Sequence, residues 1–427
     1  MLDLKEIRKD PKTIEEKLQK KIPEIRLSSI LEMDEKVRSL KTEVEALKAK
    51  RNSVSKEIGL KKQKKEDCTA LMQEMGNCGE TISKIDHEIQ KIEEKLHQEL
   101  GCLPNLAMDD VPFGKDPKEN VCIKTYKEKP HFSFPFKNHV ELNEKLHLFD
   151  FPRGAKISGS GFPLYKGLGA RLEWALLNYM LDIHRKNGFT QIIPPLLVRP
   201  ETMYGAGQLP KFEHQLFKIR DEDYHLYLIP TSEASLAGLH MEETFEEKEL
   251  PLLYTAYSPC FRREAGAAGS QERGLIRTHQ FNKVELFAIT TQEESPLIYE
   301  KMVQSAEEVL QGLGLHYRNM LLVTGDMSFA SAKTIDIEVW LPGQNRYYEV
   351  SSVSNCTDFQ SRRASIRYKT KDGKTHLAHT LNGSGLATSR LMVALLENLQ
   401  KEDGSVQIPT ALFPYLKEEI AFLTPKN

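Results

Sequence analysis

The first hundred residues carry an apolar repeat that leaves few folds open. From Ile30 the apolar positions run Ile30, Met33, Val37, Leu40, Val44, Leu47, then Arg51, Val54 and Ile58, with steps alternating between three and four. That is a heptad seam with one charged interruption. A second seam runs Leu71, Met75, Cys78, Ile82, Ile85, Ile89, Ile92 and Leu96, and "GLKKQKKEDCT" separates the two. Two long helices joined by a short polar tip predict an antiparallel hairpin. At 1.5 Å of rise per residue, each helix is roughly 45 Å long.

Charge on this hairpin is polarised. Residues 36–65 hold 11 Lys/Arg against 3 Glu, a net of +8, and residues 66–100 hold 3 Lys against 9 Asp/Glu, a net of −6. Opposite flanking charges suit pairing of the two helices. They also suit contact of the first helix and its lysine tip with an anionic polymer, and a coiled coil leaves surface for both. The whole chain is near neutral, at −2, so a nucleic-acid partner has to be met by such local patches.

"GCLPNLAMDDVPFGKDPKEN" ends the heptads with Gly101, Pro104, Pro112 and Pro117. The domain boundary is placed there, dividing residues 1–103 from residues 104–427. With 427 residues, the remainder is long enough for a substantial core of its own. No run of about 18 apolar residues suggests a membrane span. The start, "MLDLKEIRKDPKTIEEKL", lacks the apolar core of a signal peptide. Cysteines 68, 78, 102, 122, 260 and 356 are scattered without a CxxC pair. The expectation is free thiols, no zinc site and a reducing, cytoplasmic setting.

Beyond the boundary, "GLGARLEWALLNYMLDIHRKNGF" reads as a helix, with Leu172, Ala175, Leu176, Tyr179, Met180 and Ile183 on one face and Gly188 as the stop. Strand-like runs follow: "DYHLYLI", "LLYTAYSPCF", "FNKVELFAI", "TIDIEVWL" and "RYYEVSSV", interrupted by one helical stretch, "SPLIYEKMVQSAEEVLQGLG". Strands adjacent in sequence without regular βαβ alternation predict an antiparallel sheet flanked by helices, an α+β fold. Near the end, "TLNGSG" (380–385) reads as a tight glycine turn leading into a helix with Arg390 about two turns in, and "LTPKN" as a frayed tail.

"FRREAGAAGSQERGLIRTHQF" (261–281) holds Arg262, Arg263, Arg273 and Arg277 between two of these strands. A long hairpin is predicted, with Arg262 near the end of the incoming strand. Period-two alternation puts Glu264 on the face of Arg262, and a guanidinium there can fork onto phosphate or carboxylate. Phe281 on the returning strand offers a ring face. Composition alone is equally met by a solvated basic hairpin. Elsewhere "TSE" (Thr231, Ser232, Glu233), Glu285, Glu349 with Ser351 and Ser352, and Thr380, Asn382 and Ser384 supply hydroxyls and carboxylates. Together these groups are what an adenylating site needs: arginines for polyphosphate, a carboxylate for Mg²⁺, and small polar groups for a small polar substrate.

The chain resembles the class II aminoacyl-tRNA synthetases, and within them the seryl-tRNA synthetases of bacterial type. The resemblance runs through the hairpin arm, "LPNL", "AKISGSGF", "IIPPLLVRPETMYGAGQLPKF", "TSE", "FRREAG…GLIRTHQFNKVE", "YYEVSSVSNCTDFQSRR" and "TLNGSGLATSR". It implies a first class motif over 190–205, with Pro194, that builds a homodimer interface. The second motif is the arginine-rich hairpin, and the third is the glycine segment with Arg390.

The resemblance also implies roles. Arg262 meets the α-phosphate and the substrate carboxylate, Glu264 accepts from the adenine amino group, Phe281 stacks beneath the ring, and Arg390 covers the other face and reaches the γ-phosphate. Arg263, Thr278, His279, Gln280, Val350 and Ser351 fall in the matching ATP-binding stretches. His279 either orients the hairpin or takes part in the chemistry. Glu349 and Ser352 match the Mg²⁺ site, and Thr231, Ser232, Glu233, Arg262, Glu285, Ser384 and, nearby, Thr380 match the serine-binding positions. No general base stands out, because a carboxylate nucleophile needs positioning more than proton removal. After "TSE" the chain reads "ASLAGL" where the family commonly has a Val-Pro-Leu-type run.

The implied activity is serine attachment to tRNA(Ser), and to tRNA(Sec) where present, through a seryl-adenylate made from ATP. In the family the arm crosses to tRNA held by the partner subunit, which suits recognition of RNA by shape and phosphate. Two other readings stay open. One is an amino-acid adenylating homologue that loads a carrier protein, which has no use for such an arm. The other is a coiled-coil scaffold with an inactive catalytic fold, which predicts a loss among Arg262, Glu264, Glu349 and Arg390, all of which are present.

Overall fold

The computed structural model describes residues 1–264, 274–416 and 421–425. It divides into two compact units, Leu2–Leu103 and Pro104–Asn427, Met1 packing with the second.

In the first unit, helix α1 (Ser28–Gln63) and helix α2 (Thr69–Gly101) form an antiparallel pair. At 1.5 Å per residue they are about 54 and 50 Å long, longer than their seams because each runs at least a turn past one end of its seam. Val37, Val44, Ile82, Ile85 and Ile89 form the buried seam, with Leu40, Leu47, Cys78 and Ile92 packed against it. Gly59, expected to open the tip, lies inside α1. No atom comes within 4 Å of a Cβ built on it, so it faces open space and leaves the helix unbroken.

Lys36–Glu88, Lys41–Glu93, Lys48–Asp86 and Lys50–Glu74 bridge the helices at 2.6–3.5 Å. Exposed pairs of this kind contribute about 0–1 kcal/mol each, so the apolar seam holds the pair together and the charges set its register.

The second unit is built on an eight-stranded sheet. Its strands are β1 (Val121–Tyr126), β2 (Thr190–Ile192), β3 (Leu252–Phe261), β4 (Gln280–Thr290), β5 (Tyr317–Leu321), β6 (Lys333–Leu341), β7 (Arg346–Asn355) and β8 (His379–Ala387), in the order β1-β5-β6-β7-β8-β4-β3-β2. Neighbours are antiparallel except β2 and β3, which run parallel.

Helix α3 (Leu168–Lys186) spans the predicted stretch, and Gly188 at φ +87° ends it, the left-handed conformation that favours glycine. Helix α5 (Ser295–Gly312) and helix α7 (Thr388–Asn398) also pack on the sheet. The other face is covered by α4 (Ser232–Gly238) and α6 (Phe359–Ala364).

β4 explains the site's position. Its even residues, Val284, Leu286 and Ala288, pack with the clusters of α3 and α5, while Phe287 and Ile289 pack with Leu236 of α4. Because both faces are covered, its second half reads as a continuous apolar run. The odd-numbered face continues toward the hairpin as Glu285, Lys283 and Phe281.

Four expectations need correction. "TLNGSG" is no turn: β8 runs straight through it, with neither Gly383 nor Gly385 at positive φ. Those glycines serve close packing. A Cβ on Gly385 would lie 2.3 Å from His184 Nε2, and one on Gly383 3.0 Å from Val353. Arg390 is the third residue of α7, in its first turn. "DYHLYLI" supplies only the two-residue strand Tyr227–Leu228. Of "LTPKN", Leu423 is buried and paired with Val406, while Lys426 and Asn427 lie outside the described residues.

Candidate active site

β3 and β4 pair from Leu252↔Ile289 to Phe261↔Gln280, and the site opens where this hairpin leaves the sheet. Arg262 is fixed at its backbone: its N–H donates to His279 O at 2.9 Å and its carbonyl accepts from His279 Nδ1 at 3.0 Å. Its guanidinium donates to Pro230 O at 3.3 Å and sits 5.1 Å from the Phe281 ring centre. His279 itself lies beside Phe162, and a Cβ on Gly161 would meet its ring at 2.6 Å. Gly161 of "AKISGSGF" thus makes room for a histidine that positions Arg262.

Glu264 reaches the site differently from the strand alternation expected of it. The strand has ended, Glu264 is left-handed at φ +47°, and Arg277 Nη1 pairs with its Oε2 at 2.7 Å. Arg273 lies outside the described residues. Arg390 donates from Nη1 to Glu349 O at 2.8 Å and from Nε to Ile276 O at 3.3 Å, and stands 3.6 Å from the Glu349 carboxylate. Arg262, Arg277 and Arg390 line one recess together with Glu264, Thr278, Phe281, Glu349 and Val350.

An adjoining cavity of about 450 Å³ shares Arg262, Glu264, Lys283, Glu349 and Ser384 and adds Thr231, Glu233, Glu285 and Ser352. At its floor Thr231 caps α4, accepting from Glu233 N–H at 3.2 Å. The same hydroxyl accepts from Lys283 Nζ at 2.7 Å and donates to Glu285 Oε2 at 2.9 Å, and Lys283 is ion-paired with Glu285. Ser384 is the cross-strand partner of Glu285. Glu233 has no ion-pair partner among the described residues, and Gln360 Nε2 donates to its Oε1 at 2.7 Å. Burial, reinforced by the Glu285 charge, pushes its carboxyl up to about 7, with Lys283, Gln360 and Arg262 opposing.

Glu349 and Ser352 stand three apart, a spacing that points to opposite faces of a regular strand. The β6–β7 register shifts between Glu349 and Ser351, so that Glu349 faces Glu338 and Ser352 faces Asp336. Glu338 and Asp336 are two apart on β6 and share a face, so the bulge at Val350 turns Glu349 and Ser352 to the same side. Behind Ser352, Asp336 Oδ1 is shut off from solvent without a hydrogen-bond partner among the described residues. Desolvation, then the nearby Glu349 charge, pushes its carboxyl well above the usual range. A carboxylate and a hydroxyl facing one space, backed by an unsatisfied carboxylate oxygen, suit a hard cation that shares its remaining ligands with phosphate and water.

The structure therefore gathers Thr231, Glu233, Arg262, Glu264, Thr278, Phe281, Glu285, Glu349, Val350, Ser352, Ser384 and Arg390 on the cavity walls. Five residues stand behind or beside those walls. Ser232 is buried and donates to Ser258, Ser351 donates to the Ser384 carbonyl, and Thr380 is buried and donates to Gln360. Arg263 bonds through its backbone to Gln215, and Gln280 is an exposed strand residue. The sequence reading passed over Lys283, Gln360 and Asp336. Lys283 was accessible to it, as the residue between Phe281 and Glu285 on one strand face. Asp336 depends on cross-strand register and Gln360 on tertiary packing, and neither leaves a local signal.

An antiparallel sheet that presents an arginine-anchored hairpin, a strand carboxylate and a helix-borne arginine to one cavity is the core of a class II aminoacyl-tRNA synthetase. The family model for the tRNA synthetase class II core domain (G, H, P, S and T) matches residues 214–399, and that for the seryl-tRNA synthetase N-terminal domain matches residues 1–107. The chain belongs to the seryl-tRNA synthetase family. It is 52% identical over 423 residues to the serine–tRNA ligase of Chlamydia abortus, covering 99% of this chain and 100% of that one. Among solved structures, it is similar to the seryl-tRNA synthetase of Pyrococcus horikoshii complexed with ATP, with a TM-score of 0.93, 38% identity and full coverage of both chains. It is also similar to the cytoplasmic serine–tRNA ligase of Naegleria fowleri in complex with AMP, with a TM-score of 0.86, 28% identity and coverage of 98% of this chain and 97% of that one.

Proposed function

We infer that the chain is a serine–tRNA ligase: it joins serine to ATP as seryl-adenylate and then transfers the seryl group to the 3′-terminal adenosine of tRNA(Ser). The observation that carries this is the pairing of two unlike walls. One holds Glu233, a carboxylate with no ion-pair partner among the described residues, beside the Thr231–Lys283–Glu285 cluster, and the other holds Arg262 and Arg390. A zwitterionic amino acid fits between them, its ammonium at Glu233 and its carboxylate toward Arg262.

In the first step the serine carboxylate oxygen attacks the α-phosphorus and pyrophosphate leaves. Arg262 neutralises the charge that builds there, Phe281 supports the adenine, and Glu264 accepts from its amino group. Arg390 meets the outer phosphates. Glu285 and Ser384 read the serine hydroxyl. Alanine leaves those polar groups unpaired, which is the basis for strong rejection. Glu349 and Ser352 would hold the cation, Mg²⁺, which would supply charge neutralisation on the phosphates. In the second step a ribose hydroxyl of the tRNA attacks the seryl carbonyl and AMP leaves.

The arm supports tRNA binding, since Lys62, Lys64 and Lys65 at its tip form no ion pair among the described residues. It meets tRNA bound by the partner subunit of a homodimer. Exposed Trp174, Ile193 and Leu197, the last two inside the first class motif, support the dimer. Where tRNA(Sec) is present it is a second substrate.

The test is ATP–pyrophosphate exchange with each amino acid, with and without a chelator, followed by charging of total tRNA. Serine alone is expected to support metal-dependent exchange, and tRNA(Ser) to be charged. Exchange without charging overturns the tRNA reading in favour of a carrier-protein acceptor, and absence of exchange overturns the enzyme reading altogether.

A further inference from the structure

Gln360 is completely buried on α6 and spends its whole amide on three different elements. One Nε2 hydrogen goes to Glu233 Oε1 at 2.7 Å and the other to Ala206 O at 3.1 Å, while Oε1 accepts from the Thr380 hydroxyl at 2.7 Å. These partners also fix which way the amide faces: two acceptors demand the nitrogen, and the hydroxyl supplies the oxygen. Gln360 is thus a strut from α6 to α4, to the turn after the short helix Pro200–Gly205 and to β8. It spends Oε1 of Glu233 and leaves Oε2 as the oxygen available to a ligand.

Resting on the amino-acid site described above, we propose that Gln360 is the positioning residue for the substrate's α-ammonium, acting by holding the Glu233 carboxylate in place and ionised. The charges facing Glu233 are Glu285 and Lys283 from β4 and Arg262 at the end of β3. The like charge of Glu285 works against Glu233, and Lys283, paired with Glu285, offsets only part of it. An amide donor aimed at Oε1 favours the ionised form and fixes the direction of the second oxygen. Thr380, buried and donating its hydroxyl to Gln360 Oε1, acts on the substrate through this amide.

The test uses Gln360→Met, which keeps the volume but removes the donors. The full chain is assayed by serine-dependent pyrophosphate exchange. The KM for serine is expected to rise about ten- to hundredfold, the value of a lost hydrogen bond to a charged group, while the KM for ATP stays within about twofold. The discriminating readout is competitive inhibition by 3-hydroxypropanoate, which is serine without its ammonium. Its inhibition constant should change less than about threefold, because the group that Glu233 receives is missing. The acidic limb of kcat/KM for serine should move to higher pH.

Where the methionine variant fails to fold, Gln360→Glu carries the test. It has the shape of glutamine and sets a carboxylate against Glu233 Oε1, so it is expected to lose serine at least as strongly with the same selectivity. Serine and its deaminated analogue weakening in parallel, or serine binding unchanged, overturns the proposal while the amino-acid site stands. Absence of serine-dependent exchange in the unaltered enzyme overturns both.

Discussion

Glu233→Gln should make the protein more stable and less active, and the stability gain should depend on pH in a defined sense. Burial and the Glu285 charge push the Glu233 carboxyl from 4.5 to about 7. A folded-state value above the unfolded one means the native state binds the proton more tightly. Stability therefore falls as pH rises through this interval and the full cost is felt above it. A shift of this size corresponds to about 3 kcal/mol.

Glutamine keeps the volume and keeps an oxygen for Gln360, but never ionises. The variant should gain about 3 kcal/mol at about pH 8 and under about 1 kcal/mol at about pH 5. Urea unfolding of the ligand-free protein across that range, followed by near-ultraviolet circular dichroism, measures this. The same variant should lose serine-dependent exchange by about a hundredfold or more, because the ammonium's counter-charge is gone. A gain independent of pH, or a loss of stability at the alkaline end, would refute the account of Glu233 as a strained buried charge. Normal exchange would refute its place opposite the ammonium.

Two further outcomes are expected. Arg262→Ala should lower exchange by about 10²–10³-fold, the usual value of a lost transition-state donor. It should leave the unfolding midpoint almost unchanged, since the guanidinium stands at the cavity mouth; near-normal exchange rules out its role. Replacing Lys62, Lys64 and Lys65 by glutamine should reduce the slope of log affinity for tRNA against log salt by about two. An unaltered slope would show that the tip makes no phosphate contact.

The sequence was most informative where periodicity decides structure. The alternating seam from Ile30 to Ile58 matches α1 because helix pairing depends on little else. β1, "VCIKTY", escaped notice because it is an edge strand with exposed side chains on both faces and so carries no alternation. Glycine misled at "TLNGSG": Gly385 serves the close approach of a buried histidine, and local sequence cannot tell that use from a turn. At the site, residue types were legible and connections were not. Glu233 and Glu285 could be picked out as acids, but Lys283 and Gln360 are what make them unlike, one neutralised and the other left for a ligand.

The inserted residue at Val350 has a bearing on how such an enzyme can change over generations. Glu349 and Ser352 cooperate only because one position in β7 goes uncounted by its neighbour. Deleting Val350 would leave Glu349 and Ser352 two apart on a regular strand and still on one face. A substitution that removed the bulge at unchanged length would instead bring Ser351 to the cavity wall in place of Ser352. At this point of the strand a one-residue deletion is therefore the milder event, and a replacement that straightens the backbone is the harmful one.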